Sequence, residues 1–204
     1  MRAVIICGGT ITDYIYIKKQ IKDGDVIICA DSGYDHAVKM ELDISVVVGD
    51  FDSISSIPAD IQTIQYPVRK DQTDSEIAMD YARKIGFNDF LLIAATGTRL
   101  DHTLSNILLL KGCLERGENV VIVDEHNKIT ITDSTFWLHE PAGSIVSLIP
   151  LSDCNGVTTE NLEYPLHYAT LYMGKGLGVS NIMTDNNASV SVKEGILLII
   201  AAKD

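Results

Sequence analysis

Short, continuous apolar runs punctuate the first 125 residues: Ala3–Cys7, Val26–Ala30, Ser45–Val48, Phe90–Ala95 and Val120–Val123. Apolar runs without polar alternation predict strands buried on both faces, as in a parallel sheet covered by helices. Between them the period changes. From Thr73 to Ile85 the spacing predicts a helix with Ile77, Tyr81 and Ile85 on one face and Ala78 and Ala82 beside them. Thr73-Asp74-Ser75-Glu76 has the form of a capping box, in which hydroxyl and carboxylate satisfy free backbone N–H groups. A second helix is predicted over His102–Arg116, turning Leu104, Ile107, Leu108 and Leu114 toward a core, with Asp101 at the N-cap. Strand–helix alternation of this kind predicts an α/β domain, Rossmann-like, with a mostly parallel sheet and flanking helices.

Beyond residue 126 the pattern shortens. Lys128–Thr132 alternates, and Phe136–Leu138, Ile145–Ile149, Ala188–Val192 and Ile196–Ala201 read as further strands. Gly, Asn, Asp and Pro separate them at short intervals, and no long helical period follows. This predicts a small antiparallel β-sandwich or barrel. The boundary falls near Asp124–Asn127, giving an α/β domain over 1–125 and a β-sandwich domain over 126–204.

A formal charge of −12 argues against nucleic acid as a partner, because such proteins carry a basic stripe. It leaves room for a nucleotide escorted by a divalent cation. The longest apolar stretch, Gly195–Ala202, is far too short to span a bilayer, so no membrane role is expected. The four cysteines are scattered with no C-x-x-C pair, and Cys7 and Cys29 fall within apolar runs. With no signal-peptide pattern at the N-terminus, the expectation is a cytoplasmic protein with reduced thiols.

Acids recur where the predicted strands end, and ligands of open α/β sheets bind beyond those ends. Val26–Ala30 runs into Asp31, and Val46–Gly49 runs into Asp50-Phe51-Asp52. Asp71 and Asp74 stand where a helix begins, and Arg99 and Asp101 follow the strand ending near Ala95. Carboxylates gathered on one rim repel one another unless a cation sits among them, and hard oxygen donors suit Mg²⁺ bridging to substrate phosphates. Arg99 and Lys70 either offset phosphate charge or pair with neighbouring acids. Asp74 and Asp101 have an alternative use as helix caps. Asp50-x-Asp52 taken alone also occurs in sugar-nucleotide transferases. Gly8-Gly9 forms a tight turn that lets a nucleotide approach, and is neither a dinucleotide fingerprint nor a Walker loop. His102 reads as structural.

Taken in order, these residues resemble a family. Gly49-Asp50-Phe51-Asp52-Ser53-Ile54, Lys70-Asp71-Gln72-Thr73-Asp74, and the block from Gly97-Thr98-Arg99-Leu100-Asp101-His102 to Asn106 are similar to ordered blocks of the thiamine pyrophosphokinases. The likeness continues through Val146–Pro150, Asn161–Leu166 and Gly178-Val179-Ser180-Asn181. One departure is Ser32, where the family usually has a second Gly after the strand-end acid.

The resemblance implies an α/β nucleotide-binding catalytic domain followed by a β-sandwich that binds thiamine and dimerises, with active sites shared across a homodimer interface. It implies pyrophosphoryl transfer from Mg²⁺-bound ATP to the thiamine hydroxyl, releasing AMP. Asp50, Asp52, Asp74 and Asp101 would form the catalytic centre, the first three holding Mg²⁺. Gly9, Asp31, Lys70, Asp71 and Arg99 would face the nucleotide, and Tyr164, Ser180 and Asn181 would hold thiamine. Transfer to another primary alcohol, such as a hydroxymethylpterin, or a non-catalytic thiamine or nucleotide sensor, are the competing readings.

Overall fold

The apolar runs of the first half become the strands of one parallel sheet. A computed structural model of the chain describes residues 1–51, 57–66 and 71–203 and divides into two units, Met1–Glu125 and His126–Asp204. In the first unit the strands are β1 (Ala3–Ile6), β2 (Val26–Ala30), β3 (Ile44–Gly49), β4 (Thr63–Gln65), β5 (Asp89–Ile93) and β6 (Asn119–Val123). They lie in the order β6-β5-β1-β2-β3-β4, every neighbouring pair parallel. The chain therefore steps outward from β1 to β4, returns to the other side of β1 as β5, and continues to β6.

Both faces of this sheet are covered over its central strands, which is why β1 and β2 are apolar throughout and β3, β5 and β6 over most of their length. On one face Val4, Ile6, Ile27, Cys29, Val47 and Ile93 pack with Ile17 of α1 (Tyr14–Lys18), with Tyr34 and Ala37 of α2 (Gly33–Lys39) and with Met40, its C-cap. Helix α3 (Asp74–Lys84) crosses β1, β2 and β3, and α4 (Leu100–Glu115) packs against β6. The Thr73 hydroxyl caps α3 by accepting from the Glu76 N–H at 3.3 Å, so the start of this helix is where the sequence predicts it.

The faces of two helices differ from expectation. Helix α4 buries Asn106, Leu110 and Cys113, while Leu104 and Leu108 are exposed. At 100° per residue these two sets lie on opposite sides. The helix carries two apolar stripes, and the buried one contains a polar residue, so periodicity alone selects the wrong side. Nor is Asp101 the N-cap. Arg99 holds that position, and Asp101 lies in the first turn. Ile85, the C-cap of α3, is exposed. Helices α1 and α2 are too short for a period to register, and β4 lacks an apolar run.

The second unit is an antiparallel sandwich. Strands β7 (Asn127–Thr132), β9 (Ile145–Pro150), β12 (Asn181–Ile182) and β14 (Leu197–Ala202) form one sheet, ordered β12-β9-β14-β7. Strands β8 (Thr135–Leu138), β10 (Cys154–Glu160), β11 (Ala169–Leu171) and β13 (Ala188–Ser191) form the other, ordered β11-β10-β13-β8. Val146, Leu148, Leu197 and Ile199 from the first meet Leu138, Val157, Leu171 and Val190 from the second in one buried cluster. Strands β10, β11 and β12 escape sequence reading because they are polar or very short.

All four cysteines are buried and unpaired. Burial pushes the thiols of Cys7 and Cys29 up to about 12, so neither is a nucleophile at neutral pH. Among the described residues no helix is long and apolar enough to cross a membrane.

Close packing of α2 on β1 depends on Gly33, where a Cβ would lie 1.9 Å from the Ile6 carbonyl oxygen. Gly33→Ala must displace backbone, and we expect a loss of about 2 kcal/mol or more in urea unfolding, as for an overpacked core. Gly176→Ala, with nothing within 4 Å of the added carbon, should stay within about 0.5 kcal/mol of the parent.

Candidate active site

Strand order reverses beside β1, because β2 follows it on one side and β5 lies on the other. The loops leaving β1 and β5 at their carboxyl ends must then diverge, and a crevice opens between them. A cleft of about 360 Å³ occupies that place in the first unit. Its walls are the loop after β1, Asp31-Ser32 after β2, Thr73–Ser75 at the start of α3, Ala94–Arg99 after β5, and His102, Thr103 and Asn106 of α4.

The two central loops are joined backbone to backbone. Gly9 N–H donates to the Ala94 carbonyl at 2.7 Å, and Thr10 N–H donates to the Thr96 carbonyl at 2.9 Å. This approach excludes a side chain at Gly9, whose Cβ would fall 2.2 Å from the Thr96 oxygen and 2.3 Å from that of Ala94. Side chains brace the β5 loop from behind. Asn106 Nδ2 donates to the Ala95 carbonyl at 2.8 Å, Gly97 N–H donates to Thr103 Oγ1 at 3.1 Å, and Thr96 Oγ1 donates to Asp124 at 2.8 Å. Farther along the β1 loop, the Glu125 carboxylate accepts from the N–H groups of Thr12 and Asp13, the latter at 2.8 Å, and from the Thr12 hydroxyl at 3.1 Å.

Three residues at the strand ends have left-handed backbones: Asp31 (φ 46°) after β2, Phe51 (φ 67°) beyond β3 and Ala94 (φ 53°) after β5. Non-glycine residues held there cost on the order of 1–3 kcal/mol each and cluster at functional sites. Phe51 packs its ring against the buried cluster of the first unit, which fixes the turn carrying Asp50.

Of the residues singled out from sequence, Gly9, Asp31, Asp74 and Arg99 share the cleft wall. Asp50 directly follows β3, and its carbonyl accepts from Gln65 Nε2 at 3.3 Å. Asp31 lies against Gly49, with only 3.0 Å between its Cβ and the position a Cβ would take there. Asp71 is exposed just before α3. Asp101 is exposed and paired with Arg99 at 2.6 Å, and that hydrogen bond holds its carboxyl below the ordinary value. Asp52 and Lys70 lie outside the described residues. Among the described residues no three acidic, histidine or cysteine side chains form a metal cage.

Sequence reading singled out Ser32, which is on the wall, but missed Ser75, Thr96 and Asn106 as wall residues, and Asp124 behind the wall. Asp124 follows a strand just as Asp31 and Asp50 do, so the same rule finds it. Ser32 stands close over the first glycine of the β1 loop, its Oγ 2.2 Å from where a Gly8 Cβ would be.

In the second unit Asn181 is buried, and its amide is committed to backbone. Its Oδ1 accepts from the N–H groups of Tyr164 at 3.0 Å and Ile182 at 2.9 Å, and Nδ2 donates to the Tyr164 carbonyl at 2.7 Å. The Tyr164 ring itself is exposed. Ser180 is left-handed (φ 58°) and donates its N–H to Ser147 Oγ at 3.0 Å.

A doubly wound α/β unit with a polar cleft at its switch point, followed by an antiparallel sandwich, defines the class. Within that class the chain belongs to the thiamin pyrophosphokinase family: residues 17–122 match its catalytic domain and 124–197 its vitamin B1 binding domain. The thiamine pyrophosphokinase of Bacillus subtilis (strain 168) is 29% identical over 185 residues, spanning 84% of this chain and 86% of that protein. The crystal structure of thiamine pyrophosphokinase from Bacillus subtilis shares the fold at a TM-score of 0.90 and 24% identity, each chain covered in full. That of thiamin pyrophosphokinase from Geobacillus thermodenitrificans gives 0.86 at 28% identity, covering all of this chain and 98% of the other. Family membership makes the chain a transferase of the kinase class.

The Glu125 clamp has a pH signature. Burial pushes this carboxyl up, but the hydrogen bonds from Asp13 and Thr12 outweigh it and leave the pKa below the ordinary 4.5. A depressed carboxyl stabilises the fold above its unfolded pKa and loses that contribution as pH falls through the folded value. Glu125→Gln should therefore lower the melting temperature at neutral pH, with the gap narrowing once pH drops below about 4.5.

Proposed function

We propose that the protein transfers the pyrophosphoryl group of Mg²⁺-bound ATP to the primary hydroxyl of thiamine, giving thiamine pyrophosphate and AMP. The observation that carries this reading is the convergence of the glycine loop, Asp31, Asp74 and Arg99 on one switch-point cleft. It is supported by the match of the second half to a vitamin B1 binding domain.

The donor set fits a hard divalent cation, since carboxylate oxygens line the cleft and Mg²⁺ needs only one or two of them beside substrate phosphates. Asp50, Asp52 and Asp74 would hold it, and when bound it neutralises charge on the phosphate oxygens. Gly9, on the cleft wall, would face the triphosphate, with Asp31, Asp71 and Lys70 around the nucleotide. Arg99, oriented by Asp101, offsets the charge that develops on transfer. The thiamine oxygen attacks the β-phosphorus, the bond from that phosphorus to the α,β-bridging oxygen breaks, and AMP leaves with the bonding pair. Either Asp74, on the cleft wall, or Asp101, paired with Arg99, takes the hydroxyl proton. Such a transfer depends on alignment and electrostatics more than on covalent participation by the protein.

In this reading the second unit binds thiamine. The exposed Tyr164 ring offers a stacking face, Ser180 offers a hydroxyl, and Asn181 acts through the Tyr164 backbone it holds. Exposed Tyr168, Tyr172, Met173, Leu177 and Val179 on the same unit support a role in homodimerisation. Four buried free thiols accord with a cytoplasmic protein.

Thiamine consumption by the purified protein, assayed with and without ATP and Mg²⁺, tests the proposal. Consumption should require both, and thiamine binding without turnover would overturn it in favour of a sensor. Asp50→Asn and Asp52→Asn are each expected to lower turnover about a hundredfold or more. Near-parental rates in both would remove these residues from the metal centre. Asn181→Ala should raise the thiamine KM about tenfold, the scale of two or three lost buried hydrogen bonds, with the ATP KM unchanged. An unaltered thiamine KM would dissociate Tyr164 from the substrate.

A further inference from the structure

Helix α2 carries a histidine for which the proposed chemistry has no use. His36 Nε2 lies 2.9 Å from the Gly9 carbonyl oxygen, and its Nδ1 lies 2.8 Å from the Tyr14 hydroxyl. A carbonyl can only accept, so Nε2 carries the hydrogen. In the neutral ring Nδ1 is then the acceptor, and the Tyr14 hydroxyl must donate to it. Lys39 Nζ donates to the same phenol oxygen at 3.5 Å and stands 5.6 Å from the ring centroid. The hydrogen bonds thus run one way, from Lys39 through Tyr14 and His36 to Gly9, and each donor is polarised by the one before it.

The far end of this relay is the loop that approaches the β5 side of the cleft most closely. The carbonyl that His36 holds and the Thr10 N–H that binds Thr96 belong to a single peptide group. That plane is therefore fixed at both edges, by α2 on one side and by the β5 loop on the other. The preceding N–H is fixed as well, by Ala94. A glycine has no Cβ to limit rotation of its peptides, so a loop that needs Gly9 for close approach also needs an outside group to set its orientation.

We propose that His36 is a positioning residue of the nucleotide site, locking the Gly9–Thr10 peptide plane in the orientation that the polyphosphate meets. It touches no reacting atom and acts through Gly9. The proposal rests on the reading that ATP occupies this cleft.

The test compares the full-length parent with His36→Ala, His36→Gln and Tyr14→Phe, using calorimetric ATP binding and steady-state KM for each substrate. His36→Ala should weaken ATP binding and raise the ATP KM about tenfold, as for a lost part-buried hydrogen bond and a freed backbone, with the thiamine KM within about twofold. His36→Gln, whose amide N–H can replace Nε2, should recover to within about threefold of the parent. Tyr14→Phe, which keeps the imidazole but removes the donor that sets its tautomer, should fall between parent and alanine variant. Parental ATP affinity in His36→Ala, an equal rise in both KM values, or glutamine no better than alanine would each overturn the proposal. Should His36→Ala fail to fold by circular dichroism, Tyr14→Phe decides, and a parental ATP KM there overturns it. A parent that binds no ATP instead defeats the reading of the cleft itself, an outcome distinct from failure of the tether.

Discussion

Backbone pairing between the loop after β1 and the loop after β5 is the constraint on which the molecule's first half is built. Two parallel strands that leave the sheet in opposite directions would ordinarily spread apart and leave a wide, wet gap. Here Gly9 and Thr10 donate to Ala94 and Thr96, so the gap closes at its base and stays open only above. The cleft has a floor because position 9 carries no side chain. Its walls then follow from what each loop leads into: Asp31 from β2, the capped start of α3, and the first turns of α4.

The rim is expensive to hold in place. Left-handed backbones at Asp31, Phe51 and Ala94 and several acids of like charge are unfavourable on their own. The surroundings offset this with specific contacts. Asn106, Thr103 and Asp124 brace the β5 loop, Phe51 is tied to the buried cluster, and Asp101 is matched by Arg99. Elements away from the cleft carry ordinary apolar packing. The second unit divides its labour similarly, with one sandwich core beneath Tyr164, whose backbone is clamped and whose ring is left exposed.

Much of this is legible in the amino-acid order, for physical reasons. A strand buried on both faces is apolar along its buried length, so β1, β2, β3, β5 and β6 announce themselves. Acids directly after such strands fall at the carboxyl end of the sheet, where ligands of open α/β sheets bind, and of the two picked out this way Asp31 lies on the cleft wall while Asp50 directly follows β3. Periodicity fails where a helix has two apolar stripes, as α4 does, and where elements are as short as α1, α2 and β12. Roles set by a distant backbone partner leave no local trace. Nothing near Asn106 in sequence points to the Ala95 carbonyl, nothing near His36 points to Gly9, and nothing near Asn181 points to Tyr164.

In the proposed account, the switch-point cleft and the clamped aromatic of the second unit serve transfer of a pyrophosphoryl group in a single step. The most direct test is phosphorus NMR of ATP incubated with the purified protein, thiamine and Mg²⁺. Attack at the β-phosphorus predicts that AMP and thiamine pyrophosphate resonances grow in equal amounts with no ADP. Growth of ADP together with thiamine monophosphate would contradict the account, because it would place the attack at the γ-phosphorus.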